Sequence, residues 1–154
     1  MNRQVLSDTT YAKTDVVILA GGQARRMNGI NKLLQKFDNK IQLIKIHQHF
    51  KSRANQVWVN SHRDHFIYEQ IIPSIQFFPD DEAGFQGPLM GMKSAWSRVQ
   101  SDYVLFVPCD VTYIPKKVIS RLHQAFQRNP LCEVAVVEVN GKALYPFCLL
   151  KRSS

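Results

Sequence analysis

One carboxylate and three cations carry the chemistry this sequence could perform. Asp110 stands just past Tyr103 to Val107, an apolar run with the length of a buried strand, in the segment Pro108-Cys109-Asp110. A carboxylate placed there can hold Mg²⁺, a hard cation that takes one or two carboxylates together with phosphate oxygens and waters. It can equally do no more than start the loop before Pro115. The cations Arg25, Arg26 and Lys32 follow Gly21-Gly22 within one loop's reach. Two glycines remove side chains where the backbone turns and leave N–H groups that a phosphate oxygen can approach. With two guanidinium forks and one point charge they make a cradle for a polyphosphate. Gly-Gly after a strand is also an ordinary turn, and paired arginines an ordinary solvated face. Neither Gly-x-Gly-x-x-Gly nor Gly-x-x-x-x-Gly-Lys-Ser/Thr is present.

The elements that must position these residues follow from hydrophobic period. Val16 to Leu19 is a continuous aliphatic run, short enough for a strand covered on both faces. Leu33 to Phe37 is a short run that ends in an Asp38-Asn39-Lys40 turn, and Ile41 to Phe50 has the spacing of an amphipathic helix. Val57 to Asn60 predicts a strand, followed by a helix through Tyr68 to Ile71 with Ser61 or Asp64 as its cap. Ile75 to Phe78 predicts another strand, closed by Pro79-Asp80-Asp81. A helix opens at Pro88, with Leu89, Met92, Trp96 and Val99 on one face, and a further helix runs from Pro115 through Val118, Leu122 and Phe126. Val134 to Val139 and Ala143 to Leu150 flank Asn140-Gly141 as a hairpin.

Strands alternating with helices predict a three-layer, Rossmann-like α/β domain, mostly parallel, with a C-terminal antiparallel addition. Ligands of such sheets bind at the carboxyl ends of the strands. Gly21-Gly22, Asn60, Asp80 and Asp110 all fall at or just past predicted strand ends, which places them on one rim.

Length and composition bound the function. A chain of 154 residues holds one sizeable core, and its composition is that of a soluble globular protein. Residues 1 to 53 contain ten Lys/Arg against three Asp/Glu, so most of the net charge of +8 sits in the first third. That asymmetry favours an anionic partner. Nucleic acid is the weaker choice of anion, because the cations show no aromatic interleaving and no nucleic-acid motif. Cys109, Cys132 and Cys148 are odd in number and lack C-x-x-C spacing, which indicates neither a disulfide framework nor a zinc site and suits a cytoplasmic protein. No run approaches the roughly 20 apolar residues of a membrane span. Residues 1 to 14 are expected to be a loose leader and 15 to 154 a single domain. His47, His49, His62, His65 and His123 are scattered, and are expected at the surface or as filler rather than as metal ligands. Cys109, beside a buried strand, is expected to pack rather than react.

These residues carry a resemblance. Leu19-Ala20-Gly21-Gly22, Arg26-Met27, Gly29 and Lys32 are similar to the L-A-G-G-x-x-x-R-M-G-G-x-D-K signature of nucleotidyltransferases. Ala24-Arg25-Arg26-Met27 resembles the form found in the molybdenum cofactor guanylyltransferases. Pro108-Cys109-Asp110 with Tyr113-Ile114-Pro115 is similar to that family's P-C-D-x-P-x-I-P segment, Thr112 replacing the middle proline. Val57-x-Val59-Asn60, Asp80 and Gly87-Pro88-Leu89-x-Gly91 match further segments in the same order.

The resemblance implies nucleotide contact for Leu19, Ala20, Gly21, Gly22, Lys32, Asn60, Asp80 and Asp110, metal binding by Asp110, and charge neutralisation by Arg25, Arg26 and Lys32. It implies transfer of GMP from GTP to the terminal phosphate of molybdenum-molybdopterin, with Mg²⁺ as cofactor. Contact with molybdoenzymes or other cofactor-biosynthesis proteins is a further expectation. A cytidylyl or sugar-phosphate nucleotidyltransferase, or a non-catalytic nucleotide-binding protein, remains open as the alternative. The chain departs from the pattern at Asn28 and at Asn31, where glycine and aspartate are usual, and is expected to be short at the C-terminus.

Overall fold

The computed structural model describes residues 11–20, 31–79 and 88–152. Among the described residues a six-stranded sheet runs in the order β5-β4-β1-β6-β8-β7. Here β1 is Thr14–Leu19, β4 Gln56–Asn60, β5 Gln76–Phe78, β6 Tyr103–Pro108, β7 Val134–Val139 and β8 Lys142–Lys151. The pairs β1–β4, β1–β6 and β4–β5 are parallel, while β6–β8 and β7–β8 are antiparallel. The hairpin β7–β8 folds back so that its second strand, not its first, pairs with β6.

β1 is buried along its whole length because β4 and β6 flank it and helices cover both faces. Side-chain alternation divides it between two cores. Val16 and Ile18 join Leu43, Ile46 and Phe50 of α1 (Gln42–Phe50), Tyr68 of α2 (His65–Ile71) and Ile119, Leu122 and Phe126 of α4 (Val118–Arg128). Val17 and Leu19 face the other way, onto Met92, Ala95 and Val99 at α3 (Pro88–Arg98). The three-layer arrangement is therefore set by the period of two in one strand.

The order of strands reverses at β1: the chain steps outward through β4 and β5, then returns to β6 on the other side. Such a switch point opens a crevice at the carboxyl ends of the central strands. Leu19 pairs in register with both Asn60 and Pro108, so those ends are level.

Three local expectations are corrected. The run from Leu33 to Phe37 is a 3-10 turn, Lys32–Leu34, followed by β2 (Lys36–Phe37), which pairs with β3 (Lys40–Ile41) across positive-φ residues Asp38 and Asn39. Two-residue strands are too short to leave a periodic signal. The last helix begins at Val118 rather than Pro115, because Val118 N–H donates to the Pro115 carbonyl in a turn that precedes it. Asp64 stands at the N-cap of α2, but in the left-handed conformation and with no side-chain cap bond. Its carboxylate is used elsewhere.

α3 rests directly on the strand ends. A Cβ built at Gly91 would run into Asn60 Oδ1 and lie 2.8 Å from Leu19 Cδ2. Gly91 is therefore required by close approach. Gly91→Ala gains about 1 kcal/mol of helix propensity but incurs an overpacking cost of about 1–3 kcal/mol. The clash outweighs the propensity, and urea unfolding of the variant should show a lowered midpoint with an unchanged m-value.

At the opposite end of the sheet, His123 lies 2.7 Å from Thr14 Oγ1 and stacks on Tyr11. The Thr14 hydroxyl donates to the Ala12 carbonyl, which makes His123 Nε2 the donor toward Thr14. Burial pushes its imidazole down from 6.5 to about 4. The unfolded chain thus takes up this proton first, and stability falls as pH drops from about 6.5 toward 4. His123→Phe should flatten that fall in thermal melts across this range.

Candidate functional site

The ladder that holds the three central strands continues past their ends. Ala20 N–H donates to the Asn60 carbonyl at 2.9 Å, and Cys109 N–H to the Leu19 carbonyl at 3.2 Å. Leu19, Ala20, Asn60 and Asp110 are thereby brought onto one rim, as the sequence predicts. Asn60 is 2 % exposed, and its Nδ2 points to the Phe78 carbonyl of β5 at 3.5 Å. Gly21, Gly22, Arg25, Arg26 and Asp80 lie outside the described residues.

Lys32 opens the 3-10 turn that Asn31 caps, Asn31 Oδ1 accepting from Leu33 N–H at 3.0 Å. Asn31 Nδ2 donates to Asp64 Oδ2 at 2.7 Å and to the Tyr68 hydroxyl at 2.8 Å. An aspartate at position 31 could not donate to Asp64 and would set two carboxylates against each other. The departure at Asn31 is thus matched by Asp64, which explains why Asp64 leaves its cap. Burial raises the Tyr68 hydroxyl above its ordinary value, so it stays protonated in this network.

Lys32 and Asp110 both line a cleft of about 480 Å³, together with Phe37, Gln42, Lys45 and Thr112. Asp110 is exposed, and neither it nor Lys32 forms an ion pair with another described residue. Next to Asp110 in the chain is Cys109, 5 % exposed. Burial first, then the Asp110 charge, pushes its thiol up to about 11, while Lys32 acts in the opposite sense. A thiol so protonated is packing rather than a nucleophile. An exposed carboxylate and a lysine lining one cleft, without an ion pair among the described residues, offer a hard oxygen donor and a cation to a phosphate-bearing ligand.

Gln42, not among the residues expected at the site, lines this cleft and is 3 % exposed. The signal was present: Gln42 is the one polar member of the i, i+4, i+8 stripe Gln42-Ile46-Phe50 on α1. His47 and His49 lie on the same helix and burial lowers both below their ordinary values. Among the described residues no three His, Cys, Asp or Glu side chains gather to bind a metal.

The chain matches the model of the MobA-like NTP transferase domain over residues 16–154. It is 65% identical over 144 residues to a molybdenum cofactor guanylyltransferase of Acinetobacter baumannii, covering 94% of this chain and 69% of that protein. Identity to the enzyme of the same name from Pasteurella multocida is 45% over 138 residues, with 89% and 71% covered. Among solved structures, molybdopterin-guanine dinucleotide biosynthesis protein A from Archaeoglobus fulgidus superposes with a TM-score of 0.65 at 16% identity, over 90% of this chain and 67% of that one. A CMP:2-keto-3-deoxy-manno-octonic acid synthetase in complex with CTP superposes with a TM-score of 0.65 at 17% identity, over 92% and 75%. The structural likenesses show the shared nucleotidyltransferase fold, and the match along the sequence is the more specific finding: this chain belongs to the MobA-like NTP transferase family.

Proposed function

We propose that the protein transfers GMP from GTP to the terminal phosphate of molybdenum-molybdopterin, releasing pyrophosphate. The observation that carries this reading is 65% identity to a molybdenum cofactor guanylyltransferase along 94% of the chain. The level strand ends at Leu19, Asn60 and Pro108, with Asp110 and Lys32 facing one cleft, support it.

The chemistry asks little of a side chain as base. A phosphate monoester has a second pKa of about 6, so the attacking oxygen is largely ionised at neutral pH. It forms a bond to the α-phosphorus while the bond to the β-phosphate oxygen breaks and pyrophosphate leaves. Positioning and charge neutralisation carry such a reaction. In this reading Leu19, Ala20, Gly21, Gly22, Asn60 and Asp80 contact the nucleotide, and Lys32, Arg25 and Arg26 neutralise the departing phosphates. Asp110 is the ligand for Mg²⁺: a single exposed carboxylate, with phosphate oxygens and waters completing the shell, suits that cation. Bound there, Mg²⁺ would supply polarisation of the phosphate oxygens.

Among the described residues no helix is long and apolar enough to cross a membrane. We place the protein in the cytoplasm, where contact with molybdoenzymes or other cofactor-biosynthesis proteins would let the product pass on. The CTP complex of the structural relative favours cytidylyl transfer as the second reading.

Asp110→Ala should lower turnover about 10²–10³-fold, the range for removing one electrostatic stabiliser, and change GTP affinity far less. Incorporation of label from α-labelled GTP and binding by calorimetry measure the two. Undiminished turnover would overturn the metal assignment, and label transferred from CTP in preference to GTP would favour the second reading.

A further inference from the structure

One buried polar side chain joins the two charged segments of the cleft. Gln42 Nε2 donates to the Cys109 carbonyl at 3.1 Å and to the Val111 carbonyl at 2.7 Å, the two carbonyls that flank Asp110. The backbone N–H of Gln42 donates to the Gln35 carbonyl at 2.8 Å, and Gln35 N–H in turn donates to the Lys32 carbonyl at 3.3 Å. The same residue is thus tied to the loop that carries Asp110 and to the turn that carries Lys32.

Gln42 sits in a position of α1 that its i+4 and i+8 neighbours, Ile46 and Phe50, fill with hydrocarbon. A polar side chain buried there is tolerated because both of its N–H bonds are used. An aliphatic residue would pack as well but leave one buried and one part-buried carbonyl without this donor. Holding the carbonyls of residues 109 and 111 restrains the backbone across Asp110, and with it the direction of the Asp110 Cα–Cβ bond. Asp110 has no ion pair with a described residue that could do this instead.

We infer that Gln42 is a positioning residue, which sets the orientation of the Asp110 carboxylate and its separation from Lys32. This rests on the assignment of Asp110 as the metal ligand. Both side-chain bonds of Gln42 go to backbone carbonyls, not to the Asp110 carboxylate itself. It acts through the backbone of residues 109–111, as the outer partners of a metal ligand do.

The test uses Mn²⁺ as a paramagnetic probe, its affinity for the full chain with GTP followed by electron paramagnetic resonance, beside steady-state guanylyl transfer. Gln42→Leu should weaken Mn²⁺ binding by about 10-fold and lower kcat by about 10-fold, the lower end for losing an outer-shell partner. KM for GTP should stay within about twofold, since uniform binding is untouched. Excess Mg²⁺ should restore part of the lost turnover at a temperature well below the variant's Tm, where the folded fraction is not limiting. Asp110→Asn serves as the comparator.

If Asp110→Asn loses Mn²⁺ binding while a folded Gln42→Leu keeps wild-type affinity and kcat, the inference on Gln42 fails alone. If Asp110→Asn itself keeps Mn²⁺ binding, the metal assignment fails and takes the inference with it. Should Gln42→Leu not fold, Gln42→Met, closer in length and flexibility, is read in the same assays. Loss of the fold in both would make Gln42 a residue of the core and overturn the inference.

Discussion

The parallel ladder of β1 with β4 and β6 is the constraint from which the site follows. Because Leu19 pairs with both Asn60 and Pro108, three chain segments leave the sheet at one level. Two backbone bonds past the ladder, Ala20 to Asn60 and Cys109 to Leu19, keep them together for one residue more. A one-residue slip would send Asn60 to the other face and move the segment bearing Asp110 along the strand. The apolar run of β1 resists that slip, since Val16 and Ile18 belong to one core and Val17 and Leu19 to the other. Burial on two faces thereby becomes precision at the rim.

Polar contacts then place what the ladder cannot. Asn31, anchored to Asp64 and Tyr68, holds the turn of Lys32 against α2. Gln42 spans from that turn to the loop of Asp110. Gly91 lets α3 close on Asn60 from the other side. Each is a neutral group near a site built for charge, so each can orient without competing for the ligand's phosphates.

How much of this was legible in the sequence depends on the kind of signal. The strands β1 and β6 and the helices α1 and α3 announced themselves by period, and Asn60 and Asp110 at strand ends announced the rim. Asp110 and Lys32 were visible because charge after an apolar run is conspicuous, and the cleft does bring them together. Gln42 was passed over because its acceptors are backbone carbonyls, 67 and 69 residues away, which leave no mark in residue type. The Asn31–Asp64 exchange was hidden for a similar reason: a residue that departs from the usual pattern is explained only by its partner 33 positions on. The β2–β3 hairpin was missed because two-residue strands have no period.

Sequence and structure converge on a rim of β1, β4 and β6 that binds a guanine nucleotide. Thermal unfolding of the chain with GTP, CTP, ATP and UTP, each with and without Mg²⁺, tests it most directly. A ligand bound only by the folded state, at about 100 times its Kd, stabilises by about 2.7 kcal/mol. Tm should rise selectively with GTP, and further with Mg²⁺. A melt that no nucleotide moves, or that CTP moves more than GTP, would contradict it.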